Sequence, residues 1–125
     1  PDTQELSREA QQYVDASAQA FKNGDVDQAV EYLRQGIEID PLSDKLHYNL
    51  ALLYGKQGMI YYAISELETV LELAPGSFQA MKNLAVLYQQ AGFKNKAIEM
   101  WERAMGVCQD EETREQIKEH LLGLL

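Results

Sequence analysis

One side-chain pattern returns along the chain at a fixed spacing of 34 residues, the distance from Leu50 to Leu84. Residues 49–54, Asn-Leu-Ala-Leu-Leu-Tyr, come back as residues 83–88, Asn-Leu-Ala-Val-Leu-Tyr. A period of this length is typical of a repeat protein, whose units bury their apolar faces only against their neighbours. A glycine, an alanine and a large side chain follow at matching distances, and they also occur one period earlier: Gly24, Ala29 and Leu33; Gly58, Ala63 and Leu67; Gly92, Ala97 and Trp101.

Apolar residues at helical spacing, separated by turn-forming residues, predict seven helices and no strand. Asp2 with Glu5 three residues later has the form of a capping box, so we expect the first helix to begin there and to end near Lys22. Its apolar stripe is predicted to include Ala20 and Phe21. Breaks between helices are predicted at Asn23-Gly24, Asp40-Pro41, Gly58, Pro75-Gly76, Gly92 and Asp110, with Asp25, Ser43 and Ser77 as helix caps.

The repeated positions resemble the tetratricopeptide repeat, a helix-turn-helix unit of about 34 residues. The resemblance implies an all-α fold, a right-handed α-solenoid of three units closed by a C-terminal capping helix. The expected units are about residues 10–43, 44–77 and 78–111, the capping helix is about 111–124, and the whole of 1–125 is one domain. The places that carry the resemblance are leucine at Leu50 and Leu84, tyrosine at Tyr54 and Tyr88, alanine at Ala29, Ala63 and Ala97, and proline at Pro41 and Pro75; the tryptophan place departs from it, with Tyr13, His47 and Met81.

The charge balance argues against one class of partner. The chain has 11 basic and 20 acidic residues, which give a formal net charge of -9. Nucleic acids and anionic membranes bind basic faces, so neither is expected as a partner. No apolar run approaches the roughly 20 residues that span a bilayer, so direct membrane insertion is not expected. We expect a cytoplasmic protein; a periplasmic or membrane-associated location through a segment outside this sequence stays open, and the single cysteine, Cys108, does not decide it.

No group of residues points to catalysis or to a metal. His47 and His120 are the only histidines, and neither has a second histidine or a cysteine at ligand spacing. Glu66, Glu68 and Glu72 share one predicted helix and are interpreted as a solvated face. Because the sequence also has no recognisable nucleophile-base pair and no glycine-rich phosphate loop, we predict no enzyme activity, no cofactor and no metal.

The resemblance implies a peptide-binding groove lined by the first helix of each unit. Asn49 and Asn83 stand where several tetratricopeptide proteins carry an asparagine ladder, whose amides bond both a donor and an acceptor of an extended peptide. The alternative is that both amides bond only within the array. The expected groove residues are Gln11, Val14, Asp15, Ala18 and Lys22 in the first unit, Lys45, Tyr48, Asn49, Leu52 and Lys56 in the second, and Gln79, Lys82, Asn83, Val86 and Gln90 in the third.

Charge is unevenly divided between the two expected faces. Lys22, Lys45, Lys56 and Lys82 map to the groove, whereas acidic residues of the second helices map to the outer face. This division favours a protein-interaction scaffold or adaptor that binds an extended, acidic or carboxylate-bearing peptide of a protein partner. The alternative function is structural self-assembly into homo-oligomers, in which the basic concave face of one copy binds the acidic convex face of the next. The lysines could also do no more than keep the groove soluble.

Tyr61 and Tyr62 form a second candidate interface. They replace the polar pairs Asp27-Gln28 and Asn95-Lys96 of the other two units, at places predicted to face solvent. Tyrosine is favoured at interfaces because it combines a large contact area with a hydroxyl group. With Met59, the two tyrosines therefore predict a contact surface on the turn edge of the array. The alternative is that the rings fold back onto adjoining units as additional packing.

Overall fold

A computed structural model describes residues 5–125, and these residues form seven α-helices and no strand. Three antiparallel pairs, α1 with α2, α3 with α4 and α5 with α6, pack one after another along the chain, and α7 packs against α6. The predicted number and order of the helices are confirmed. Their bounds are α1 Arg8–Lys22, α2 Val26–Ile39, α3 Asp44–Lys56, α4 Ile60–Leu73, α5 Phe78–Gln90, α6 Lys94–Val107 and α7 Glu111–Leu124.

The start of α1 differs from the predicted capping box. Asp2 lies outside the described residues, and Glu5 precedes the helix, which begins at Arg8. The cap is Ser7, whose hydroxyl accepts a hydrogen bond of 3.1 Å from the backbone N–H of Ala10. The backbone N–H of Ser7 in turn donates to a carboxylate oxygen of Asp40 at 2.9 Å. This long-range bond joins the start of α1 to the end of α2, and a pattern of near neighbours in the sequence cannot reveal it.

The turns within the three helix pairs share one backbone geometry. Gly24, Gly58 and Gly92 have φ angles of 85°, 76° and 88°, in the left-handed region that glycine alone enters without a steric cost. The turns between pairs end at serine caps, because the hydroxyl groups of Ser43 and Ser77 accept from backbone N–H groups of α3 and α5. The repeating glycines and serines therefore mark the turns within and between the three helix pairs.

Small and large side chains alternate in the core. Ala29, Ala63 and Ala97 are fully buried in the second helix of each pair, and Leu33 and Leu67 are buried one turn further along. Full burial of one leucine side chain stabilises the fold by about 2 kcal/mol. The core continues through the third pair at Trp101 and Ala104 and is closed on α7 by two buried side chains, Ile117 and Leu121.

Within residues 5–125, no helix combines the length and the apolar character that crossing a membrane requires.

Candidate functional site

A depression of about 360 Å³ lies between α1 and α3, and we call it the trough. Its lining is mostly apolar, with Val14, Ala18 and Phe21 from α1 facing Leu52 and Leu53 from α3. Two polar side chains of α3, Asn49 and Lys56, lie among them, and Ser17 and Leu33 complete the lining. The trough thus combines an apolar wall with one amide and one ammonium group.

Five of the residues expected in the groove meet in this trough: Val14, Ala18, Asn49, Leu52 and Lys56. Phe21 belongs to it as well, although the sequence pattern placed this residue only in the apolar stripe of α1 and not among the groove residues. Its side chain is 44% exposed, as much as that of Leu52. Phe21 follows Ala18 by three residues and Val14 by seven, so helical periodicity alone would have placed it on the groove side.

The face extends onto α5 through one hydrogen bond. The side-chain N–H of Asn83 donates to the hydroxyl oxygen of Tyr48 at 2.8 Å and so joins α5 to α3. Val86 is exposed one helical turn further along. The two asparagines therefore differ, because Asn83 bonds within the array while Asn49 lines the trough. The remaining expected residues of this helix, Gln79, Lys82 and Gln90, are exposed.

A second, more polar opening of about 620 Å³ lies toward the start of α1 and α3. The expected groove residues Gln11, Asp15 and Lys45 line it together with Leu6 and Ser43. The side-chain N–H of Gln11 donates to a carboxylate oxygen of Asp15 at 3.1 Å. Of the four expected groove lysines, Lys45 lines this opening and Lys56 lines the trough, while Lys22 and Lys82 are exposed elsewhere on α1 and α5.

Tyr61 and Tyr62 point to different neighbours. The ring centroid of Tyr61 lies 6.2 Å from that of Phe93 in the next helix pair, whereas that of Tyr62 lies 5.4 Å from that of Tyr54 in its own pair. Both rings stay largely in solvent, with 66% of Tyr61 and 58% of Tyr62 exposed. Each ring thus makes an aromatic contact with a neighbour and leaves most of its surface exposed.

His47 links the start of α3 to α4. Its Nδ1 lies 2.6 Å from Glu66 Oε1, and its Nε2 lies 2.8 Å from the backbone carbonyl oxygen of Pro41. Both partners are acceptors, so only the doubly protonated imidazolium donates to both. The hydrogen bond with Glu66 raises the pKa of His47, and burial opposes that shift. A structural role thus accounts for this histidine at the tryptophan place of the repeat.

A second carboxylate of α4 is also engaged inside the array. The hydroxyl group of Tyr88 donates to a carboxylate oxygen of Glu68 at 2.7 Å, and burial together with this bond raises the pKa of Tyr88. Near α7, the indole N–H of Trp101 donates to the side-chain carbonyl oxygen of Gln89 at 2.6 Å.

Among residues 5–125, no three histidine, cysteine or acidic side chains lie close enough to hold a metal ion.

Two family models match the chain. One, described as TPR repeat, matches residues 19–58, and the other, described as tetratricopeptide repeat, matches residues 44–77. The chain belongs to the tetratricopeptide-repeat family. The third helix pair of this tetratricopeptide protein lies beyond both matches and is recognised by its 34-residue spacing from the second, as Leu84 repeats Leu50. No curated protein sequence matches the chain.

Solved structures have the same fold at low sequence identity. The first TPR of Spaghetti (RPAP3), bound to the HSP90 peptide SRMEEVD, is 19% identical, with a TM-score of 0.77 over 93% of this chain and 95% of that one. The N-terminal domain of stress-induced protein-1 (STI-1) from C. elegans is 19% identical, with a TM-score of 0.81 over 94% and 98% of the two chains. The Yersinia enterocolitica type III secretion translocator chaperone SycD is 14% identical, with a TM-score of 0.82 over 96% and 86%. These similarities confirm the predicted all-α tetratricopeptide solenoid.

Proposed function

We propose that this protein is a non-catalytic interaction module that binds an extended segment of a protein partner on the face built by α1, α3 and α5. The segment carries acidic side chains or a terminal carboxylate, and one large apolar side chain. The observation that carries the proposal is the composition of the trough, where Asn49 and Lys56 lie beside the apolar wall of Val14, Phe21 and Leu52. In this proposal, residues 1–125 act as one domain with one continuous binding face.

Each part of the trough has a chemical use for such a ligand. A volume of about 360 Å³ accepts one large side chain. The amide of Asn49 offers a donor and an acceptor, which together bond the two polar groups of an extended backbone. The ammonium group of Lys56 pairs with an acidic side chain further along the segment.

The neighbouring helices support the same ligand class. By the hydrogen-bonding capacity of an amide, Asn83 keeps one N–H and its carbonyl oxygen for a ligand after donating once to Tyr48. Lys45 and Lys82 are exposed on α3 and α5. A protein of this fold, at 19% identity, is bound to the peptide SRMEEVD, which contains three acidic residues and one methionine.

The alternative is stacking of copies, in which the groove of one copy binds the acidic outer face of the next. Some carboxylates of that outer face already have partners within the chain. Glu66 bonds to His47 and Glu68 accepts from Tyr88, so two carboxylates of α4 are engaged within the array. Binding a separate peptide is therefore the function we favour over stacking of copies.

A phage-displayed library of random heptapeptides, selected on the whole chain, tests the proposal. Leu52→Glu places a negative charge in the trough, and Leu122→Glu is a matched control, because Leu122 is an exposed leucine on α7. We expect selected peptides to be enriched in aspartate and glutamate with one large apolar residue, and to be retained by Leu122→Glu and lost by Leu52→Glu. Enrichment of basic peptides, or equal retention by both variants at unchanged helicity, would overturn the proposal.

A further inference from the structure

The turns inside the three helix pairs form a continuous edge of the array. We call the equivalent segments 23–28, 57–62 and 91–96 the turn edge, and every residue in it is at least partly exposed. The side-chain N–H of Gln57 donates to a carboxylate oxygen of Asp27 at 2.7 Å and so joins the first segment to the second. The ring of Tyr61 packs edge-on against that of Phe93 and joins the second to the third. The three segments thus form one surface.

Charge changes sign along this surface. Segment 23–28 contains Asp25 and Asp27 and no basic residue, segment 57–62 contains no charged residue, and segment 91–96 contains Lys94 and Lys96 and no acidic residue. Two more lysines, Lys22 and Lys56, end α1 and α3 immediately before the first two segments, and Lys56 lines the trough. When Lys22 and Lys56 are counted with the segments they precede, the net charge still rises from the acidic first segment to the basic third.

The centre of the turn edge is apolar and exposed. Met59, Tyr61, Tyr62 and Phe93 are all large side chains with much of their surface in solvent. Lys96 Nζ lies 5.7 Å from the ring centroid of Phe93, so the basic end and the apolar centre are in direct contact. Aromatic residues and methionine are enriched in protein interfaces.

Two of these apolar residues occupy places where a polar residue would stabilise the helix. Asp25 caps α2, since its carboxylate accepts from the backbone N–H of Gln28 at 3.0 Å. Met59 and Phe93 stand at the equivalent places of α4 and α6 and make no side-chain cap. Serine, threonine, aspartate or asparagine is preferred there. Phe93 contacts the rings of Tyr61 and Tyr88 within the chain, yet Phe93 stays 41% exposed and Met59 45% exposed. Both residues therefore leave apolar surface for a partner at places where a polar cap would serve the single chain better.

We propose that the turn edge binds a second copy of this chain in a closed two-fold dimer. A two-fold axis through the uncharged middle segment brings the acidic segment of each copy onto the basic segment of the other, so the charge pairing occurs twice. Met59 and Tyr61 of both copies then meet at the centre. An acidic partner or an anionic membrane would be repelled by Asp25 and Asp27, whereas a second copy matches both ends. The contact uses residues outside the trough and does not depend on the proposed peptide binding.

A charge exchange tested by sedimentation decides the proposal. The acidic-end variant is Asp25→Asn with Asp27→Lys, which keeps a good helix cap on α2 because asparagine caps as well as aspartate. The basic-end variant is Lys94→Glu with Lys96→Glu, which places acidic residues at the start of α6, where the helix dipole favours them. Asp27→Lys also removes the exposed hydrogen bond from Gln57 to Asp27. Both variants should keep the helices, and circular dichroism checks that they do.

The wild-type chain should sediment as a concentration-dependent dimer that weakens as salt is added. Each variant alone should associate at least about a hundredfold more weakly, because like charges then face each other twice. An equimolar mixture of the two variants should regain a dimer, since both pairings become attractive again. Tyr61→Asn, which introduces the residue found at the equivalent position 95, should also weaken the dimer.

Three results would overturn the proposal. The first is a wild-type chain that stays monomeric at every concentration at which it is soluble. The second is a dimer that neither charge variant weakens, or that the mixture fails to restore. The third is growth beyond a dimer, which would mean an open, head-to-tail contact in place of a closed two-fold one.

Discussion

Replacing His47 with glutamine should destabilise the fold in a pH-dependent way. The imidazolium donates to Glu66 at 2.6 Å and to the carbonyl oxygen of Pro41 at 2.8 Å, and the two side chains are only 11% and 22% exposed. A hydrogen bond to a charged group contributes about 1.5–3 kcal/mol, and the cost of desolvating the pair offsets part of it. We therefore expect His47→Gln to lower the free energy of unfolding by about 1–2 kcal/mol at mildly acidic pH.

The sign of the pH dependence follows from the direction of the pKa shift. The folded state raises the pKa of His47 above its ordinary value, chiefly through the hydrogen bond with Glu66. Such a group contributes stability that is fully present below the unfolded pKa, about 6.5 for histidine, and that is lost as the pH rises through the folded pKa. The difference in unfolding free energy between wild type and His47→Gln should therefore be largest about one pH unit below 6.5. It should shrink as the pH rises above about 6.5 and through the raised pKa of folded His47.

Urea unfolding followed by circular dichroism across this pH range measures the difference. His120→Gln is the matched control, because it removes the other histidine and should leave the pH-dependent contribution of His47 in place. Glu66→Gln should reduce that contribution as His47→Gln does. A difference between wild type and His47→Gln that is constant, or that grows as the pH rises, would contradict a stabilising bond from the His47 imidazolium to Glu66.

Three further predictions concern the groove and the turn edge. Replacing Asn49 and Asn83 together by alanine should weaken binding of a library-selected acidic peptide by about 1–3 kcal/mol in calorimetry, with helicity intact, and an unchanged affinity would rule out a ladder. Lys45→Glu with Lys82→Glu should abolish binding of that peptide. In the wild type, added salt should weaken binding once the screening length falls below about 10 Å. Binding that neither the substitutions nor the salt changes would contradict an acidic ligand. Met59→Asp should supply the missing cap of α4 and so raise the free energy of unfolding of dilute protein by about 0.5–1 kcal/mol, measured by urea titration. A lower free energy of unfolding would show that the packing of Met59 contributes more than a cap.

The sequence predicted the helices well because their limits depend on local chemistry. Gly58 and Gly92 mark left-handed turns, and Ser43 and Ser77 cap the helices that follow, all within a few residues of the backbone groups they affect. The start of α1 was predicted too early, since Ser7 caps it and its backbone N–H is bonded to Asp40 at the end of α2. The cytoplasmic location, the limits of the units and the single domain stay predictions.

The tetratricopeptide resemblance assigned the candidate groove to the first helix of each unit, and two of the residues so assigned, Ala18 and Leu52, meet in the trough. That this face binds a partner stays a prediction. The bond from Asn83 to Tyr48 and the pairing of His47 with Glu66 were not predicted, because they depend on distances between helices far apart in sequence. A periodic pattern identifies which side chains share a face, but it does not say which of them reach each other.

The claim that a peptide lies on the α1, α3 and α5 face is tested most directly by amide chemical-shift mapping. Isotope-labelled protein would be titrated with the tightest peptide from the library. Binding on this face should give the largest shifts at Ala18, Asn49, Leu52, Lys56 and Val86. Shifts confined to α2, α4 and α6, or to the turn edge, would contradict it.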